Sequence, residues 1–162
     1  MAEKRVVVTW SSAANAHTLL LQEAQEFTGT HGQRLAHLCQ TCGSDEHGKP
    51  HVVPNGQIHV TLSRTTGLVI VAVTDAGPVG IDIEQAGSVV VGGIDAWVRN
   101  EAVVKATGRG LTAVPVDPGI HQIYGLDLPE GYIGALALLN DEPVTITVRQ
   151  ATQEAATSPT TR

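Results

Sequence analysis

The sequence predicts an α+β fold built as two similar halves, 1–78 and 79–150. Three observations carry that expectation. Short Val- and Ile-rich runs of strand length recur along the chain, and two longer stretches show the helical period. The order strand, helix, strands then occurs twice, with the division near Pro78. Aromatic residues make up only 3% of the 162 positions, so the core has to come from Val, Ile, Leu and Ala.

The first half opens on a strand at Arg5–Trp10. From Asn15 to Phe27 the apolar positions Ala16, Leu19, Leu20, Ala24 and Phe27 form a helical stripe, which Gly29 ends. The stretch 32–42 reads as a second short helix, and 43–54 as a polar loop. Strands are expected at Ile58–Val60 and at Gly67–Thr74, where the unbroken run Leu68–Val73 predicts burial on both faces. After the turn Asp75-Ala76-Gly77-Pro78 the second half begins with a strand at Val79–Glu84. A Gly-rich connector over 86–93 leads to a helix from Ile94 to Thr107, stopped by Gly108. Further strands are expected at Ile120–Leu126, Tyr132–Leu139 and Val144–Arg149. The tail over 151–162 is rich in Ala and Thr with a Ser and a Pro, and is expected to be disordered.

The chemistry-bearing residues cluster at the start of the second half. In Val79-Gly80-Ile81-Asp82-Ile83-Glu84 the apolar side chains alternate with Gly80, Asp82 and Glu84. Alternate strand residues share a face, so the two carboxylates project together about 7 Å apart. Advancing ~100° per residue along the following helix puts Trp97, Val98, Glu101, Val104 and Lys105 on one face. Glu101 then sits where the helix packs on the sheet, and a buried carboxylate needs a partner. Lys105, one turn on, is one such partner as an i,i+4 ion pair. A hard cation is the other, because Mg²⁺ takes a few carboxylates and completes its shell with water and phosphate oxygens.

The segments Gly80-Ile81-Asp82-Ile83-Glu84 and Trp97-Val98-Arg99-Asn100-Glu101-Ala102-Val103-Val104-Lys105, continuing to Leu111, together resemble the two signature motifs of the 4'-phosphopantetheinyl transferases. Gly48-Lys49-Pro50 and Ser63-Arg64-Thr65 resemble further elements of the larger, Sfp-type subgroup. The resemblance implies a pseudo-dimer of two α+β halves. It also implies Mg²⁺-dependent (or Mn²⁺-dependent) transfer of 4'-phosphopantetheine from coenzyme A to a serine of an apo acyl, peptidyl or aryl carrier protein. This is the reaction of a holo-acyl-carrier-protein synthase. Asp82, Glu84 and Glu101 match the family's metal carboxylates. Glu101, or a water held by the cation, would be the base, and Lys105 matches a phosphate-contacting catalytic lysine. Lys49 and Pro50 match the coenzyme A side, near the adenosine 3'-phosphate. Arg64 stands where the family has His, Asn100 stands where it has Lys or Arg, and the connector between the two motifs is short. The same residues are open to a second expectation, a relative that binds coenzyme A or a carrier protein without turnover.

Composition bears on other classes. A formal charge of −6 argues against general nucleic-acid binding. No apolar run is long enough for a secretory segment or a membrane span, which makes a cytoplasmic location and no membrane partner the expectation. Two halves in one chain suggest a monomer. Cys39, Cys42, His47 and His51 form a C-x2-C-x4-H-x3-H array. It reads either as a structural zinc site or as two reduced thiols beside solvated loop histidines.

Overall fold

The computed structural model describes residues 2–39, 42–54, 57–109, 119 and 121–152. Strands form where the β-branched runs lie, and in order the elements are β1 (Lys4–Ser11), α1 (Ala16–Thr28), β2 (Arg34–Leu38), β3 (Lys49–Val53), β4 (His59–Thr65), β5 (Leu68–Thr74), β6 (Val79–Gln85), α2 (Ile94–Thr107), β7 (Gln122–Gly125), β8 (Tyr132–Leu138) and β9 (Val144–Gln150). The Asn15 side chain caps α1 by accepting from the His17 and Thr18 amides. Both helices end on a left-handed glycine, Gly29 at φ 68° and Gly108 at φ 71°.

The protein is α+β, arranged in four layers. One sheet has the order β4-β5-β1-β9 and the other the order β6-β8-β7. Val6, Val8, Ile70 and Ala72 on the first sheet pack against Ile81, Ile83, Leu136 and Leu138 on the second. The opposite face of the first sheet, with Val60, Val71 and Val73, packs on Leu19, Leu20 and Ala24 of α1. The outer face of the second sheet, with Ala135 and Ala137, packs on α2. This sandwiching explains why β5 is buried on both faces, as its unbroken apolar run predicts. Among the described residues the buried apolar core holds Val, Ile, Leu and Ala and no aromatic side chain.

The two sheets repeat one topology. β1, α1, β4 and β5 give the antiparallel order β4-β5-β1, and β6, α2, β7 and β8 give the antiparallel order β7-β8-β6. The registers correspond as well, with Val6 opposite Thr74 and Val79 opposite Leu138. The first unit carries an extra antiparallel hairpin, β2–β3, between α1 and β4. The last strand, β9, crosses back to pair in parallel with β1.

Several expectations are corrected. The stretch 32–42 holds β2 rather than a helix, and the expected loop over 43–54 ends in β3. Leu35 opposite Val52 supplies the hairpin's apolar anchor against the α1 core, a cross-strand pairing that a local helical period cannot register. On α2 the packed side chains are Val98, Ala102 and Ala106 with Val103 beside them, while Trp97 is 38% exposed. The helix is therefore rotated from the expected face, and Glu101 and Lys105 lie on its flank. Ile120, Gly110, Leu111 and the expected disordered tail from 153 onward fall outside the described residues. Among the described residues no helix is long and apolar enough to cross a membrane.

Candidate functional site

The site forms where an edge of one sheet meets an edge of the other. Thr61 and Ser63 of β4 turn buried hydroxyls towards β6, where they accept hydrogen bonds from the Ile81 and Ile83 amides, each at 3.3 Å. The free edge of β6 is thereby satisfied without another strand. Asp82 lies between those two amides and is 5% exposed.

Glycine sets the distance of α2 from this seam. A Cβ on Gly80 would lie 2.0 Å from the Ala102 carbonyl oxygen and 2.4 Å from the Ala106 nitrogen. The bare backbone lets α2 settle directly on β6, which brings the Lys105 side chain over Asp82. Lys105 Nζ donates to Asp82 Oδ1 at 2.8 Å and to Ser63 Oγ at 3.2 Å, and Ser63 Oγ donates to the same Oδ1 at 3.3 Å. Ser63 thus donates once and accepts twice, the full capacity of a hydroxyl. Asp82 Oδ2 is buried with no hydrogen-bond partner. A buried carboxylate oxygen in that state is costly, and it marks a place for a cation or a donor.

Asp82, Glu101, Lys105, Arg64, Lys49 and Pro50 all line one cavity of about 820 Å³. That is the size range of small-molecule and cofactor sites. Glu84 does not line it, although it is close enough to act on Glu101. The Glu101 carboxyl is pushed up, first by burial, then by the Asp82 charge, with Glu84 adding and Lys105 opposing. Lys105 makes its ion pair with Asp82 rather than with Glu101.

Lys49 behaves differently from a free phosphate contact. Its ammonium donates to the carbonyls of Val79 at 2.5 Å, Lys105 at 2.9 Å and Ala106 at 3.2 Å. All three donors are used, two of them on carbonyls in the last turn of α2, where a cation is favoured. Burial pushes its pKa down to about 8. Arg64 is exposed at the cavity wall. Burial first, then His37 and Arg64, hold the His17 imidazole below its ordinary value. His17 and His37 meet edge to face at 5.5 Å.

Thr61 and Ser63 are the site residues that motif reading alone leaves without a role. Their signal lies in the alternation of Val60 and Leu62 with Thr61 and Ser63, a strand with one polar face. Among the described residues, Asp82, Glu84 and Glu101 are not a tight cage. The group whose ligand atoms all lie within 4.8 Å of one another is Cys39, Cys42 and His47. Asp82 and Glu101 are the carboxylates that line the cavity, and a hard cation that keeps several waters could be held through one or two such groups. No protein-family model matches this chain, and no curated protein matches it.

Proposed function

We propose that this protein transfers 4'-phosphopantetheine from coenzyme A to a serine of an apo carrier protein, with Mg²⁺ or Mn²⁺ as cofactor. The observation that carries the reading is the buried Asp82 Oδ2 without a hydrogen-bond partner, on a residue that lines one cavity with Glu101, Lys105 and Arg64. The Asp82 and Glu101 segments are the two that resemble the family's signature motifs. The duplicated strand–helix–strand–strand topology, with matching registers, supports the pseudo-dimer that the resemblance implies.

In this reading the carrier serine oxygen bonds to the pantetheine-bearing phosphorus. The bond from that phosphorus to the bridging pyrophosphate oxygen breaks, and 3',5'-adenosine bisphosphate leaves. Glu101 accepts the serine proton, a role suited to a carboxyl whose pKa is raised by burial and by Asp82. Lys105, steered by Asp82 and Ser63, places its positive charge beside the pyrophosphate. Arg64 binds the phosphate end of coenzyme A at the cavity wall. Asp82 and Glu101 would hold the cation, with Glu84 behind them, and when bound it offsets charge developing on the leaving group.

A second reading, a relative that binds coenzyme A or a carrier without turnover, is favoured by Lys49, whose donors are all committed to backbone carbonyls. Incubation with coenzyme A, Mg²⁺ and a panel of apo carriers separates the two. A mass gain of one phosphopantetheine on a carrier supports transfer. No gain, with coenzyme A binding still measured by calorimetry, supports the binding protein.

A further inference from the structure

The tip of the β2–β3 hairpin carries a second ligand cluster, chemically unlike the carboxylates. Gly43 N donates to Cys39 O at 2.8 Å, and Cys39 N donates to Ser44 O at 2.9 Å, which holds Cys39 against the Gly43–Ser44 backbone. Gly43, directly after Cys42, holds φ at 73°, a conformation that favours glycine. Gly48 holds φ at 104°, and a Cβ there would lie 2.5 Å from the Leu38 carbonyl oxygen. That close crossing folds His47 back towards Cys42, and its Nε2 lies 3.4 Å from Cys42 Sγ. The ligand atoms of Cys39, Cys42 and His47 all lie within 4.8 Å of one another, and both cysteines are reduced.

From these contacts we infer that Cys39, Cys42 and His47 bind one Zn²⁺. A tetrahedral zinc with a sulfur ligand at about 2.3 Å and a nitrogen ligand at about 2.0–2.1 Å requires a sulfur–nitrogen separation of about 3.6 Å. The Cys42–His47 contact is already close to that value. Two thiolates and an imidazole select zinc over the hard cation that the carboxylates suit. His51, on β3 opposite Ala36, is not part of the cluster, so the four-residue array of the sequence reduces to three protein ligands. All three line the cavity, and the fourth position is left to a solvent or ligand atom from it. The hairpin has little core of its own, since along its two strands only Val52 is fully buried. Zinc at the tip ties down the segment that forms this cavity wall and carries Lys49. The site stands independently of the transfer reading.

The test is zinc stoichiometry on the full chain, purified under reducing, anaerobic conditions, loaded with zinc and dialysed. One zinc per chain is expected for the native protein and none for the double variant Cys39→Ser, Cys42→Ser. His47→Ala should weaken binding at least tenfold, while Asp82→Asn should retain one equivalent. Cobalt substituted into the native protein should give a thiolate-to-metal charge-transfer band, a readout that needs no variant to fold. Absence of zinc from the native protein, zinc retained by the double variant, zinc lost from Asp82→Asn, or cobalt bound without that band would each overturn the assignment.

Discussion

At the residue scale the site's carboxylates are held in different ways. Asp82 is held by Lys105 and Ser63 through one oxygen, and its other oxygen is buried without a partner. Asp82→Ala should abolish turnover and leave Lys105 without its partner, and a near-native rate in a folded variant would remove Asp82 from the site. Glu101 is raised by burial and by its acidic neighbours. A carboxyl whose pKa is higher in the folded than in the unfolded chain binds its proton more tightly when folded. Its ionised form therefore costs stability above the folded pKa, and the cost disappears as pH falls below the unfolded value. Glu101→Gln should accordingly be more stable than the native protein at neutral pH, with the gain vanishing in acid. Urea unfolding at a series of pH values reads this directly. For the same reason Mg²⁺ affinity should fall as the pH is lowered through the Glu101 ionisation.

At the scale of elements, β6 and α2 make the site by lying unusually close. Gly80→Ala puts a Cβ into the backbone of α2 and should destabilise the fold by about 1–3 kcal/mol, by overpacking that shifts the helix. Calorimetric unfolding checks the stability, and coenzyme A binding should weaken in parallel. Lys49→Met leaves buried carbonyls of Val79, Lys105 and Ala106 without their donor and should cost about 1–3 kcal/mol. If that variant loses coenzyme A affinity with no loss of stability, Lys49 contacts the ligand rather than the helix end. Here the limits of the sequence can be located. The bounds of α2 were legible from its period and from Gly108, and the shared face of Asp82 and Glu84 from alternation. The helix's rotation was not, because it depends on how near the small residues Gly80, Ala102 and Ala106 allow two backbones to come. The hairpin β2–β3 was also hidden, since pairing between Leu35 and Val52 leaves no local period. Ser63 stands in a segment that the resemblance picks out, but its hydrogen-bonding role was not legible, as it depends on the neighbouring sheet.

At the scale of the whole molecule, two strand–helix–strand–strand units are joined through an apolar interior, the hydroxyl seam of β4 on β6, and the return of β9 to β1. A separate ionic contact ties β9, in the first sheet, to α1. Arg149 of β9 pairs with Glu23 of α1 at 2.8 Å, and Thr9 of β1 donates to the same carboxylate at 2.8 Å. Arg149→Ala leaves the largely buried Glu23 with only the Thr9 hydroxyl and should lower stability by about 1–3 kcal/mol. The Arg149→Ala and Glu23→Gln double variant should recover part of that loss, and a double-mutant cycle in urea measures it. The site thus occupies the β4–β6 junction between the units, where the carboxylates of the second unit face the cations of both. Phosphopantetheine transfer is the reaction proposed at this junction, and intact-protein mass spectrometry of apo carriers incubated with the protein, coenzyme A and Mg²⁺ reads it out. The account predicts a mass gain of one phosphopantetheine on at least one carrier, dependent on the metal and lost in both Asp82→Ala and Glu101→Ala. Carriers that all keep their apo mass, or a gain that persists in both variants, would contradict it.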